Sequence, residues 1–497
     1  LVDRIDLSPW AGQPVRLAFH TLAPAGSRGH AVWGSPVGER PRRTGDPPPV
    51  ILIAVDTLRA DRLSCYGHDR TTSPHVDRLA ADGVRFSRVI ANSNWTTPSF
   101  ASMFTGLPPS RHQVVHRASA IPPACTTLAE RLQENGWATR GIAYKTYLYN
   151  MGFEQGFDVW FNLPRIQVRA DDNLAKALDW LGGHHDRRFF LFLHFNDPHQ
   201  PFNQPPPFDR SYNRLSDLER FGLKLPIVIG PHKGIVGCKP CLRAGKPVTA
   251  FRRLASDLYD GEVAYLDDRL GRFFDALRHH GLYRKALIVF VSDHGELIYE
   301  KGDFFGHGSR RLCDELVWVP MIIKPPADSP VVRGKVIDAQ VRVHDLMPTL
   351  LEMAGAPVEG LEIDGRSLAP LLGDAADNDR PAVSENVKHH ALAIRRGPWM
   401  YELDYRPRRP VAEKLLRGRS HPTRGDNLAD KQPALLRSFR LLAMEYFLEH
   451  RSGHHLLVTG DGDKRRVRIR LRSEQPLHGV RPLFGLPRTG GQGKEEG

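Results

Sequence analysis

At 497 residues the chain is long enough for two or more domains of ~100–200 residues, or for one large α/β enzyme domain with appendages. With 41% apolar and 25% charged residues it has a globular composition, which excludes a low-complexity chain, and no run approaches the ~18–20 apolar residues of a membrane helix. The formal charge of +13 favours sulfated, phosphorylated or polyanionic substrates, although arginine enrichment beside alanine, glycine and proline also fits codon bias.

The chain starts at Leu1 without a charged start and apolar run, which reads as a fragment or a chain whose leader was removed. Val15-Arg-Leu-Ala-Phe-His-Thr21 alternates as a strand does, and a Pro/Arg/Gly-rich linker covers residues 38–49. Residues 1–46 therefore read as the end of a truncated β-rich domain plus a linker. Next comes Val50-Ile-Leu-Ile-Ala-Val-Asp56, an apolar run ending in an acid. Such runs suit parallel strands buried on both faces, with the acid at the carboxyl end where open α/β sheets place their sites.

The same pattern returns at Phe189-Phe-Leu-Phe-Leu-His-Phe-Asn-Asp197 and Ala286-Leu-Ile-Val-Phe-Val-Ser-Asp293. Helical periodicity over residues 171–181 and 258–277 lies between the runs, so the alternation predicts a three-layer α/β/α sandwich with a mostly parallel sheet over residues 47–376. Residues 201–249 interrupt it as an insertion rich in Pro, Gly and basic side chains. Within it Cys238-Lys-Pro-Cys241 has the spacing of a half zinc site or a local disulfide, but five cysteines in all imply no disulfide framework. A smaller α+β subdomain is expected over residues 377–451, closing on a helix at 433–450. Residues 452–497 read as a tail or the start of a truncated β domain. Its basic run at 464–472 alternates like a solvated strand edge, and no nucleic-acid module is visible.

Asp56 and the pair Asp293-His294 offer two carboxylates and an imidazole, a mixed O/N set suited to calcium, manganese or magnesium. A hydroxyl comes from Trp95-Thr96-Thr97-Pro98-Ser99-Phe100, read as a helix start with Thr97 as cap and Pro98 as first residue. Thr96 then lies where unpaired N–H groups favour an anion, and coordination to a divalent ion is one way to activate an alcohol.

The chain resembles the sulfatase family, in the sulfatase branch of the alkaline phosphatase superfamily, over about residues 47–450. The pieces occur in the family's order. They begin with Asp56-Thr-Leu-Arg-Ala-Asp61, Cys65-Tyr-Gly67, Thr71-Thr-Ser-Pro-His-Val-Asp-Arg-Leu-Ala80 and Thr96-Thr-Pro-Ser-Phe-Ala-Ser-Met-Phe-Thr-Gly106. They continue through Gln155-Gly-Phe-Asp158, Asp197-Pro-His-Gln-Pro-Phe202, Ser292-Asp-His-Gly-Glu296, Gly306-His-Gly308, His344-Asp-Leu-Met-Pro-Thr-Leu-Leu351 and Ile363-Asp-Gly-Arg-Ser-Leu368. The resemblance implies one divalent metal ion held by Asp56, Asp293 and His294, with Thr96 at the nucleophile position and bound to the same ion. It places His199 and His307 where relatives contact the sulfuryl or phosphoryl oxygens or protonate the leaving group, and Lys145 opposite a substrate-contacting lysine. It also favours a periplasmic or extracellular location.

Three departures shape the expected function. Sulfatases carry Cys or Ser, oxidised to formylglycine, where this chain has Thr96, and Arg where it has Phe100; the usual second metal-binding aspartate is Thr57. Threonine cannot form that aldehyde. The expected activity is therefore hydrolysis of phosphate, phosphonate or sulfate esters through a covalent Thr96 intermediate, with phosphodiesters favoured and phosphotransfer possible. The substrate would be an anionic ester of a small molecule, a lipid headgroup or a glycan. The rival expectations are a sulfatase proper and a non-catalytic relative that binds anionic glycans.

Overall fold

A computed structural model describes residues 45–143, 148, 150–162, 169–213, 248–300, 304–373, 380–407, 411–418, 427–451, 455–460 and 467–472. The strand expected at 15–21, Lys145, Cys238 and Cys241 lie outside the described residues.

The first ten strands are β1 (Val50–Val55), β2 (Val84–Ile90), β3 (Ala138–Ala143), β4 (Val159–Asn162), β5 (Phe189–Phe195), β6 (Leu287–Ser292), β7 (Leu297–Ile298), β8 (Phe305–Gly306), β9 (Trp318–Lys324) and β10 (Lys335–Arg342). β7 and β8 pair as a short ribbon, and the other eight form one sheet in the order β10-β2-β9-β6-β1-β5-β3-β4. Among these eight only β9 runs antiparallel to its neighbours. The three apolar runs are adjacent central strands, each buried at every position.

Alternation along β1 divides the core. Val50, Leu52 and Ala54 face a cluster with Phe100 and Met103 of helix Thr96–Thr105 and Leu350 of helix Leu346–Ala354. Ile51, Ile53 and Val55 face Leu79, Leu174 and Phe273, which belong to helices Pro74–Asp82, Ala170–Gly182 and Val248–His279. The sheet is thus covered on both faces, each buried Leu, Ile or Phe contributing roughly 1.5–3 kcal/mol. The last of those helices starts ten residues earlier than its periodicity predicted, because Leu254 and Ala255 also bury against the core.

β11 (Ala382–Asn386), β12 (Ala391–Arg396), β13 (Trp399–Asp404) and β14 (Ala412–Arg417) make an antiparallel sheet. Leu392, Ile394, Tyr401 and Leu403 pack against Phe439, Ala443 and Phe447 of helix Pro433–Arg451. Hydrogen bonds from Glu385 N to Asn92 O (2.8 Å) and from Ser384 Oγ to Ala91 O (2.7 Å) tie this sheet to the segment after β2. The basic run near the end forms a strand, β16 (Val467–Arg472), paired with β15 (His455–Gly460). Among the described residues no helix is long and apolar enough to cross a membrane.

Candidate active site

Because β1 and β6 run parallel with Val55 opposite Ser292, the residues that follow, Asp56 and Asp293, leave the sheet side by side. Both are fully buried, as is His294. Two backbone N–H groups, Thr57 N (3.2 Å) and His294 N (2.7 Å), donate to Asp293 Oδ1 and fix that carboxylate. His294 Nδ1 donates to Gly295 O at 2.9 Å, which leaves the Nε2 lone pair facing the acids. Nε2 lies 3.7 Å from Asp56 Oδ1 and 3.4 Å from Asp293 Oδ2. Burial first, then the neighbouring His307, holds the His294 imidazole well below its ordinary pKa, so it is neutral, the ligating form.

Thr96 Oγ1 stands 3.3 Å from His294 Nε2. Its helix runs Thr96–Thr105 with Trp95 as the cap, so the expected Thr97 cap and Pro98 start are displaced by two residues. Pro98 is still tolerated there, because the first four N–H groups of a helix have no intrahelical acceptor. Ser99 Oγ donates to Asp293 O at 2.5 Å and pins this first turn to the end of β6. Phe100 is fully buried, its ring 5.0 Å from that of His194 and 6.0 Å from that of Phe192. The side chain at that departure from the family pattern is thus part of the core.

The His307 ring lies 4.5 Å from that of His294 between centroids, tilted by 43°, and His199 approaches His307 at 5.2 Å. Both are half-buried. His307 Nδ1 lies 3.0 Å from Glu296 Oε1, a buried carboxylate that orients the ring. One neighbour of the cluster, His194, escaped the sequence reading. His194 Nε2 is 3.7 Å from Asp56 Oδ2, and its sign in the sequence was one polar residue inside an apolar strand. Thr57 adopts φ 59, rare for a β-branched residue, held by its N–H to Asp293 and by Tyr259 Oη donating to its carbonyl at 2.7 Å. Its buried Oγ1 makes no hydrogen bond among the described residues.

Ligand atoms of Asp56, Asp293 and His294 all lie within 4.8 Å of one another. Two carboxylates and one neutral imidazole, with the hydroxyl of Thr96 close by, fit a hard divalent cation such as calcium, manganese or magnesium. The sequence profile of the sulfatase family matches residues 48–356, more than half of the chain. The chain belongs to the sulfatase family. It is 26% identical to mouse steryl-sulfatase over 73% of this chain and 70% of that protein, and 23% identical to human arylsulfatase K over 86% and 85%. An arylsulfatase of Clostridium perfringens is 24% identical over 65% and 78%. Among solved structures, a phosphonate monoester hydrolase of Agrobacterium radiobacter superposes with a TM-score of 0.66 at 21% identity, covering 81% of this chain and 96% of that one. Another from Silicibacter pomeroyi gives 0.63 at 21% identity, covering 85% and 99%. These likenesses support the alkaline phosphatase-like fold and an ester hydrolase.

A buried acidic pair near His199 makes stability depend on pH. Asp197 opens the loop that bears His199, and burial pushes its carboxyl up to about 7. Glu262 of helix Val248–His279 is raised as well, by burial and then by Asp197, while its Oε1 accepts from Asn203 N and from Gln204 N (3.0 Å). Folding therefore favours a protonated pair, since the unfolded carboxyls ionise near pH ~4. The stability this pair contributes is present below that value and lost as pH rises through about 7. Glu262→Gln keeps an acceptor for the two N–H groups and removes the repulsion. Urea midpoints of the variant should vary less between about pH 5 and pH 8 than those of the wild type. Equal slopes would show that the pair is not protonated in the fold.

Proposed function

We propose that the chain hydrolyses phosphorus esters, phosphodiesters foremost, by attack of Thr96 on the phosphorus. The observation that carries this is Thr96 Oγ1 at the first position of a helix, 3.3 Å from His294 Nε2 and beside the cluster of Asp56 and Asp293. When bound by these residues, a divalent cation supplies Lewis acidity that favours the alkoxide of a nearby hydroxyl and offsets negative charge on ester oxygens. The helix N–H groups face the same anion and stabilise it further. Thr96 Oγ, its proton released to solvent, forms the new bond to phosphorus as the bond to the leaving alcohol breaks. His307, oriented by Glu296, or His199 beside it gives that alcohol its proton. Water then gives a proton back to that histidine as its oxygen attacks phosphorus on the side the alcohol left, and the bond to Thr96 Oγ breaks, releasing the product.

Phosphorus is favoured over sulfur because of how the intermediate must be resolved. The hydrated aldehyde of formylglycine enzymes has a second hydroxyl that expels sulfate by elimination. Thr96 has none, so a sulfated Thr96 would wait for direct attack on sulfur, whereas in-line attack on phosphorus is the ordinary route. The second reading is hydrolysis of sulfate esters, supported by the names of the curated relatives. A panel of aryl sulfate, phosphomonoester, phosphodiester and phosphonate substrates separates the two. Phosphodiester or phosphonate turnover should lead, and aryl sulfate turned over fastest by the unmodified protein would overturn the preference.

The acid role of His307 has its own test. His307→Ala should slow esters of aliphatic alcohols by about 10²-fold and esters of p-nitrophenol much less, since a good leaving group departs unprotonated. Equal losses on both would remove His307 from that role.

A further inference from the structure

Two segments distant in sequence are joined beside His307. One is the loop of Gly308, Ser309, Arg310 and Arg311. The other is the turn Val387–His389, which follows β11 of the C-terminal subdomain. Asn386, buried, joins them: its Nδ2 donates to Asn94 Oδ1 (2.9 Å) and Ser309 O (3.0 Å), and its Oδ1 accepts from His389 N (3.2 Å). Asn94 donates in turn to Ser309 O and Arg311 O, both at 2.6 Å, and its carbonyl accepts from Gly308 N at 2.9 Å. Asn94 lies two residues before Thr96, and Gly308 directly follows His307. Asn94 and Asn386 are both buried, so losing these bonds would orphan their amide groups, and the turn is held at a fixed place relative to the nucleophile.

What this fixed turn presents is positive charge. Lys388 and Arg310 are exposed, and both act on His389, which hydrogen-bonds the Gly308 backbone. Arg311 lays its guanidinium over the Phe304 ring at 4.8 Å. Arg310 also acts on Asp404, but that carboxylate is already engaged by Arg406 Nε at 2.8 Å. Two exposed cations thus belong to segments that the buried amides of Asn94 and Asn386 hold in place beside His307, which is more order than solubility alone requires.

We propose that Arg310 and Lys388 bind a second anionic group of the substrate, beyond the ester that is cleaved, so that the preferred substrates are bis-anionic. The group is a phosphate, sulfate or carboxylate, which a guanidinium can grip through two parallel N–H donors. The proposal rests on the ester site lying among Thr96, His294 and His307, but binding alone tests it. The probes are alkylphosphonates and ω-sulfoalkylphosphonates with spacers of two to six methylenes, titrated calorimetrically against the whole chain. At one spacer length the bis-anion should bind about 10-fold or more tightly than the alkylphosphonate of equal length, roughly one to two charge-assisted contacts. Arg310→Gln or Lys388→Gln should erase most of that advantage and leave the mono-anion affinity unchanged, and added salt should shrink it. Thr96→Ala should keep the advantage, so a failure of the Thr96 chemistry is seen separately, in turnover. Equal affinity for mono- and bis-anions at every spacer, or variants that weaken both alike, would overturn the proposal.

Discussion

Thr96→Ala is expected to abolish turnover of every ester, with a loss on the order of 10⁴-fold or more, the scale seen when a nucleophile is removed from a catalytic unit. The variant removes one hydroxyl and one methyl from a residue already in a helix, so the fold should persist. The helix keeps its pin through Ser99 Oγ to Asp293 O, and Asp56, Asp293 and His294 keep their positions. Cation affinity should therefore change much less than activity, and calorimetric titration of the cation beside steady-state kinetics checks both. Wild-type activity in the variant would exclude Thr96 as the nucleophile. Serine at the same position should restore much of the rate, since it returns the hydroxyl in the same first turn.

Removing the cation, or the charge that holds it, should have the other large effect. Dialysis against a chelator should reduce turnover to background, and one divalent ion should restore it. Asp293→Asn is the sharper probe, because Asp293 Oδ1 accepts from Thr57 N and His294 N and an asparagine oxygen can keep both bonds. Only Oδ2, on the side facing His294 Nε2, changes from a charged acceptor to an amide donor. Cation affinity should fall by about 100-fold or more, with turnover partly recovered at high cation concentration. Undiminished activity of Asp293→Asn in a metal-free preparation would place the chemistry elsewhere.

The sheet and its principal acids were legible because both depend on local pattern. Asp56 and Asp293 end apolar runs, and runs of that kind become neighbouring parallel strands whose carboxyl ends meet. His294 and Thr96 were legible through the family motif and through the helix-start signature, although that signature put the cap two residues late. Partners set by tertiary packing were not. His194 reads as one polar residue in the β5 run, yet the β1 to β5 pairing brings it to Asp56. Glu262 lies in the middle of a long helix where nothing marks it, and only the fold sets it beside Asp197. The left-handed backbone of Thr57 leaves no trace in sequence, because a β-branched residue predicts the opposite. The link from Asn386 through Asn94 to Ser309 spans nearly three hundred residues, so the tie between the C-terminal subdomain and the loop after His307 became visible only in three dimensions.

The covalent role of Thr96 is tested most directly by rapid acid quench during turnover of a phosphodiester, followed by mass analysis of the peptide that contains residue 96. Attack on a diester expels one alcohol, so the account predicts a transient peptide heavier by the remaining alkyl phosphoryl group, localised on Thr96 and absent from Thr96→Ala. Turnover that proceeds with residue 96 unmodified at every time point, or with the adduct on another side chain, would contradict it.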